Sequence, residues 1–545
     1  MEQPALASVV KRGSLWIAVA LVLLTLFTLA AVHTVPRTAD NATVLLEGDA
    51  MVHGSVLLHH WLLSLDSFWT IDAVFYALGV AIAGLNYNLL FVIPALLATC
   101  VVIVAIAFVR SCSRSRAWIP GAIAVALLLA LPSPDFAYYL FQGPWHVGTT
   151  LWSLVAYWLI TRRAFGWSWV VAVIFLSLAL LGDLVALAIG VAPCLIAGIL
   201  WGLRDRTWRR GFSAISCGVA SVALAFDLRW IAAAIGTFSY AYRNVPLSWH
   251  TAGTNLSSLG NRLMGFLGVD NIDLPGVTNG NSVERVAHLL GAAAVLVGLG
   301  AAIYRSVKRP VSSVDSQDTE QRATRLNDLL LAGVLGSLLL FVAGSPTNRL
   351  TDTTFLTPAV VFASILAGMG VTTISQRVLN RRRELLKPVA ALLGSALAVV
   401  AIGAYTTAFA TVLQRPATTE LPKQLGSFLI AHHLTSGLGD YPTSSLVVAA
   451  TGGTAKVRPL IPAGSQLLIA DIRQVAIDWY KGVRFNFFVY NFQHPWRDVT
   501  AARAVRTFGA YSQAFTVGPF RVLVWRHALA VPPPVAVSAT PLRIR

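Results

Sequence analysis

The chain has 545 residues, 56% of them hydrophobic and only 12% charged, with a mean hydropathy of +0.68 and a formal net charge of +17. A soluble domain carries about 25% charged residues. A purely soluble fold is therefore excluded, because so few charges cannot cover a water-exposed surface and lipid must solvate part of the chain. Of the four cysteines, Cys100, Cys194 and Cys217 lie in apolar runs and Cys112 in a basic loop, with neither a zinc-type spacing nor a disulfide framework.

The first apolar run, 14–31, is as long as a bilayer core requires and no small-residue cleavage site follows it, so it reads as a retained span. With it, runs at 14–33, 89–109, 118–131, 148–161, 166–181, 185–203, 211–234, 286–304, 327–343, 354–373 and 388–412 make eleven expected transmembrane helices. Several fall short of about 20 residues, which points to buried or irregular helices surrounded by protein or a water-filled cavity. Alternate loops (Lys11 and Arg12, 110–116, 162–163, 204–210, 305–325 and 377–387) hold 21 Lys and Arg; the intervening ones hold five, Arg37, Arg243, Arg262, Arg285 and Arg349. The positive-inside rule then places the N-terminus in the cytoplasm and the C-terminus outside. The basic clusters read as topology signals at an anionic inner leaflet, so the net charge does not imply a nucleic-acid partner. Acidic residues run the other way: Asp40, Glu47, Asp49, Asp66, Asp72, Asp135, Asp183, Asp270, Asp273, Glu284 and Asp352 all fall in outer loops. Carboxylates contribute little to topology, so any chemistry is expected to face outward.

The first outer segment, 34–88, contains two apolar stretches, 51–65 and 71–85, each too short to span and each carrying polar residues. Both are expected as helices lying in the interface plane. The second, about 235–285, has Gly, Asn and Pro throughout, including Asn279, Gly280 and Asn281, and reads as a mobile loop. The inner stretch 305–326 reads as a flexible linker. After Leu413 the chain becomes soluble in character. Strand-like runs at 446–450, 466–471, 485–490 and 520–525 alternate with turn signals at 437–440 and 452–453. The expected fold is an all-α polytopic membrane domain, 1–412, followed by a small extracytoplasmic α/β domain, 413–545, with an extended or disordered tail after Pro532. That C-terminal part holds 14 Lys and Arg against five Asp and Glu. Outside the membrane the positive-inside rule does not explain such an excess; an anionic lipid, glycan or phosphate partner would, and so would docking on lipid headgroups.

Glu47, Gly48 and Asp49, followed by His53, form the sharpest chemical feature. Asp49 and His53 are four apart and share a helical face, which His60 continues. An N-capping carboxylate with ordinary interfacial histidines is the plainer reading. A divalent metal, Mg or Mn, would find its ligands among Glu47, Asp49 and His53. Asp227 and Arg229 lie inside a predicted span, where charge is costly and marks function by default. Asp183 reads as part of an outer turn. Asn41, Ala42 and Thr43 match the glycosylation sequon, a tripeptide common by chance.

A span, a long outer loop with an early acidic residue, two interfacial helices, about ten more spans and an outer C-terminal domain together resemble the GT-C superfamily of membrane glycosyltransferases. Bacterial protein mannosyltransferases, lipid A aminoarabinose transferases and actinobacterial arabinofuranosyltransferases share that layout. The stretch from Trp61 through Asp66 and Trp69 to Asp72 is similar to first-loop sequences of bacterial members. The superfamily's frequent Asp-Glu or Asp-x-Asp pair stands here as Glu47-Gly48-Asp49, which leaves the division of roles between the two acids open. The resemblance implies a sugar donor on a polyprenyl phosphate, an envelope glycan, lipid or protein acceptor, Asp49 as general base and Glu47 as supporting acid or metal ligand. It also implies a cation at the leaving phosphate: Arg349, directly before a span, with His146 and Arg243 as further candidates and His53 near the substrate. Trp145 with Tyr138, Tyr139 and Phe141 would form a sugar-stacking wall or an interfacial aromatic belt. The competing reading is a transporter or lipid-linked oligosaccharide flippase, for which no internal repeat is visible; a non-catalytic envelope-assembly partner is the third.

Overall fold

The computed structural model describes residues 3–113, 116–205, 208–242, 249–269, 282–307, 317–344, 353–381, 387–464 and 467–532. Arg243, Arg349, the 279–281 turn, residues 308–316 of the linker and the tail beyond Pro532 lie outside them. The chain separates into two compact units: Met1–Val35, Pro94–Asp227 and Val245–Pro416 form one, and Pro36–Ile93, Leu228–Asn244 and Ala417–Arg545 the other.

The first unit is a helical membrane domain. Among the described residues eight helices are long and apolar enough to cross a bilayer, or nine when Trp118–Ala130 and Pro134–Leu140, bent by 80°, are taken as one broken span. Helices Val147–Arg162 and Trp167–Gly182, 16 residues each, account for the remaining two of the eleven apolar runs. The most buried span lies in the helix Leu356–Arg381. Small residues let its neighbours approach closely: a Cβ on Gly298 would stand 2.5 Å from the Ala367 backbone nitrogen, and one on Gly368 would stand 2.8 Å from the Gly121 carbonyl oxygen. The ends of the basic runs meet one another. Asp328 accepts hydrogen bonds from Arg204 at 2.9 Å, Trp201 at 3.0 Å and Ser306 at 2.7 Å. Arg162 and Arg322 lie over the Trp158 ring at 4.9 and 4.5 Å. The segment expected as a mobile outer loop contains the helix Ala252–Phe266, anchored where the Asn255 side-chain amide donates to the carbonyls of Phe341 and Gly344.

The second unit is built on a six-stranded sheet. Its strands are β3 (Ser436–Asp440), β4 (Lys456–Ala463), β5 (Leu467–Ala470), β7 (Phe485–Asn491), β8 (Gln513–Val517) and β9 (Phe520–Leu529), in the order β5-β4-β3-β7-β9-β8. β3 runs parallel to β4 and β7; the other pairs are antiparallel. Alternation along β7 sends Phe488 and Tyr490 to the face covered by helix Ala501–Phe508. Phe487 and Val489 point to the opposite face, covered by helices Glu420–Ala431 and Tyr441–Ala450. The runs 466–471, 485–490 and 520–525 are strands as expected, whereas 446–450 closes a helix and 437–440, read as a turn, is the central strand β3. Gly437 and Gly439 make that possible, because a Cβ at Gly437 would overlap the Phe487 ring and one at Gly439 would sit 2.7 Å from the Val489 carbonyl oxygen.

The first loop also departs from expectation. Its first helix is Ala39–Val52, and residues 53–60 are turns leading into β1 (Trp61–Ser64), so 51–65 is not one helix; the second expected stretch, 71–85, does contain a helix, Ala73–Ala83. Residues Ala39 and Asn41 to Gly48 are buried, so this helix is a core element of the second unit. Gly48 meets helix Ala73–Ala83, and Thr43 Oγ1 lies 3.0 Å from Ser445 Oγ in helix Tyr441–Ala450. β1 pairs in parallel with β2 (Ser239–Tyr242) and antiparallel with β6 (Val475–Ala476).

Candidate active site

Helix Ala39–Val52 sorts its two acids by periodicity. Glu47 and Asp49 are two residues apart and so point to different faces. Glu47 is sealed in the core, and both of its carboxyl oxygens lack a hydrogen-bond partner among the described residues. Burial pushes its pKa well above the ordinary glutamate value. Asp49 keeps a quarter of its side chain in solvent. It stands in the last turn of the helix, not near its start, where the negative end of the dipole disfavours a carboxylate. Burial raises its pKa, and the nearby His53 opposes the shift. The His53 ring nitrogen Nδ1 lies 2.8 Å from the Asp49 carbonyl oxygen and 3.4 Å from Oδ1.

His60 does not continue the face of Asp49. It adopts a left-handed backbone, φ 64°, and its Nδ1 lies 2.5 Å from Asp478 Oδ2, with Lys481 2.7 Å from the other carboxylate oxygen. No group of three or more His, Cys, Asp or Glu side chains suited to a metal occurs among the described residues. The expected ligand set of Glu47, Asp49 and His53 does not fit a metal: one member is buried on another face of the helix.

Around the start of the same loop, Arg37 is buried, donates to the Leu90 carbonyl at 3.1 Å and lies 4.4 Å from the Phe91 ring centre. Tyr76, fully buried, feels both Arg37 and Asp72. Sequence reading counted Arg37 only as a topology residue; its proximity to two aromatic positions had no local signal.

The membrane unit holds Trp145 and His146. The Gly143-Pro144-Trp145-His146 segment turns sharply into helix Val147–Arg162, and His146 takes a left-handed conformation, φ 67°, at the helix start. Such a backbone is uncommon in a non-glycine residue. His146 Nδ1 donates to Asp183 Oδ2 at 2.7 Å, the Thr149 hydroxyl donates to the same oxygen, and the Val185 amide donates to Oδ1 at 2.9 Å. Asp183 is therefore no mere turn residue: fully buried, it fixes the tautomer and orientation of the imidazole, directing Nε2 away from itself. The His146 ring stacks on Phe355 at 5.4 Å. Trp145, half-buried, packs against Tyr138 and Tyr139 at 5.6 and 5.5 Å, and Tyr139 packs against Phe266 at 5.0 Å. Asp227, expected to be costly inside a span, lies exposed on helix Trp208–Ala234.

Glu47, Asp49 and His53 thus lie in one unit and Trp145 and His146 in the other. No family model matches the chain, and no curated protein sequence matches it significantly. Among solved structures, it is similar over nearly its whole length to ArnT from Cupriavidus metallidurans. The TM-score is 0.54 to the apo form and 0.53 to the form bound to undecaprenyl phosphate, at 13% and 12% identity, over 95% and 94% of this chain and 98% of each ArnT chain. The chain has the GT-C fold. A weaker likeness, TM-score 0.47 at 12% identity, links 87% of this chain to 67% of the Archaeoglobus fulgidus oligosaccharyltransferase solved with Zn and sulfate.

Proposed function

We propose that this protein is an inverting membrane glycosyltransferase that uses a polyprenyl-phosphate sugar. Its acceptor would be an envelope glycan, lipid or protein on the outer side of a bacterial plasma membrane. The observation that carries the reading is the full-length GT-C fold shared with ArnT, which was crystallised with undecaprenyl phosphate. The orientation rests on the loop charges, 21 Lys and Arg in one set of loops against five in the other.

In this reading the Asp49 carboxylate accepts the acceptor hydroxyl proton as the oxygen attacks the anomeric carbon. The bond from that carbon to the phosphate oxygen breaks, and the polyprenyl phosphate leaves with the electron pair. A single displacement inverts the anomeric centre. The alcohol is a weak nucleophile until its proton is taken, and a partly desolvated carboxylate is suited to take it. His146, held by Asp183, and Arg349 are assigned to the leaving phosphate, where positive charge or hydrogen-bond donors stabilise the oxyanion. Trp145 with Tyr138 and Tyr139 offers the stacking surface for a sugar. Purified protein in proteoliposomes, supplied with radiolabelled polyprenyl-phosphate sugars and envelope extract, should transfer label. Asp49→Asn should insert and fold normally yet transfer none. Wild-type turnover by that variant would sink the base assignment.

A further inference from the structure

The basic helix ends of the membrane unit hold an arrangement that the chemistry above does not use. Trp158 lies one turn before the end of helix Val147–Arg162, stacked on Phe108 at 5.0 Å with the two ring planes 5° apart. Arg162 and Arg322 both stand over this indole, at 4.9 and 4.5 Å. Arg162 closes the same helix as Trp158, and Arg322 comes from the beginning of helix Gln317–Ala343. The two guanidiniums are near enough to act on each other. Arg322 and Arg305 also act on the Cys112 thiol, just beyond helix Leu89–Ser111. A thiol is uncharged at neutral pH and does not balance them.

A topology signal requires positive charge on one side of the bilayer and no fixed geometry. Here two guanidiniums are held on one packed indole. A snorkelling arginine carries its N–H groups out to water. Arg322 does not: its Nε and Nη2 are buried and meet no acceptor among the described residues. Its side chain as a whole is half-buried and Arg162 beside it is exposed, so the cluster reaches the surface. Nε and Nη2 lie along one edge of the guanidinium and form a fork that matches two phosphate oxygens, while the ring covers the guanidinium face. Two acids of the same helix are directed elsewhere. Asp328 accepts from Arg204, Trp201 and Ser306, and Glu320 acts on Arg305. The charged group that acts on Arg322 is another cation, Arg162. Buried unpaired donors are costly, and a phosphodiester would satisfy them while joining the two cations. The source of that phosphodiester follows from position. Arg162, Arg305, Arg322 and Cys112 fall in or beside the loops that hold the excess of Lys and Arg, at the helix ends where phospholipid headgroups stand.

We propose that Arg322 and Arg162, held on Trp158, bind the phosphodiester headgroup of an anionic phospholipid. The site does not depend on the glycosyltransferase reading. The test uses the delipidated full chain in detergent, with bound lipid followed by native mass spectrometry during titration with phosphatidylglycerol and, separately, with phosphatidylcholine. Phosphatidylglycerol should bind saturably and more tightly than phosphatidylcholine, and inorganic phosphate should not displace it. Arg322→Gln should weaken phosphatidylglycerol binding at least about tenfold, as loss of a charge-assisted fork does. Arg209→Gln removes the same charge from another basic helix end, exposed to solvent, and should bind as wild type. Arg162→Gln, at an exposed position, should weaken binding in the same direction and decides the matter if Arg322→Gln misfolds. Wild-type affinity in the deciding variant, an equal loss in Arg209→Gln, equal affinity for phosphatidylcholine, or displacement of the lipid by inorganic phosphate overturns the site.

Discussion

Glu47 gives the most direct test of how the first-loop helix is built. Its carboxyl is fully buried and neither oxygen has a partner among the described residues. Even as a neutral acid it carries the desolvation cost of unpaired polar atoms, about 1–3 kcal/mol. Glu47→Leu, close in volume and without polar atoms, should therefore stabilise the fold by about that amount. For a unit of this size one kcal/mol is worth about 2–4 °C, so the midpoint of thermal unfolding should rise by about 2–12 °C. The pH dependence has a definite sign. Because burial raises the folded pKa above the ordinary 4.5, the folded chain binds the proton more tightly than the unfolded one. Stability is thus highest below the unfolded value and falls as pH rises from there toward the folded value, by at most about 1.4 kcal/mol per pH unit. Asp440 and Asp471, also raised by burial, slope the same way, so the quantity to read is the difference between wild type and Glu47→Gln. Thermal scans at constant rate across about pH 5–9 should show a shallower fall in the variant. An identical pH slope in Glu47→Gln, or a lower midpoint in Glu47→Leu, would refute the reasoning.

The other predictions concern residues whose contacts fix their outcome. If Asp49 is the base, transfer must fall as pH drops through a value above the ordinary aspartate 3.8, since burial raises it and protonation removes the acceptor lone pair; a kcat/KM profile with its acid limb at or below 3.8 contradicts this. Asp183→Ala strands the buried donors of His146 and Thr149 and should cost about 3–5 kcal/mol, read as a lower unfolding midpoint. Gly48→Ala places a Cβ 2.7 Å from the Ala77 nitrogen and 2.9 Å from the Tyr76 carbonyl carbon, forcing two helices apart at about 1–3 kcal/mol; an unchanged midpoint would mean the helices separate freely.

What the sequence made legible follows from how strongly the environment constrains each segment. All eleven apolar runs are helices because lipid leaves the backbone few other ways to satisfy its hydrogen bonds. Helix Ala39–Val52 was missed because Asp40, Asn41, Thr43, Glu47 and Asp49 make it look like a loop. It is buried by helices Ala73–Ala83 and Tyr441–Ala450, the second about 400 residues away in the chain, and no local pattern reports such a partner. β3 was read as a turn from its two glycines, whose actual role is to admit the Phe487 ring and the Val489 carbonyl. That error hid the next helix too: Asp440 caps it by accepting the Thr443 amide at 2.9 Å, and Pro442 sits in its first turn, a start signal that a supposed turn absorbed. Ala252–Phe266 was lost among Gly, Asn and Ser, although Leu256, Leu259, Leu263 and Phe266 recur at helical spacing.

The two acids that matter most to the proposed chemistry differ in a way their sequence contexts conceal. Asp183 sits at the tip of a helix pair and looks expendable, yet three donors converge on it, from an imidazole, a hydroxyl and an amide. A carboxylate so fully engaged has little capacity left for a substrate proton; what it does is hold His146. Asp49 sits in the more conspicuous motif and has the opposite surroundings: a helix C-terminus, partial burial, one histidine and an open edge. Poorly stabilised as an anion and accessible, it is the acid to which the proposed reading gives the proton. Glu47 is fully enclosed, and its replacement should register in the unfolding midpoint before it registers in turnover.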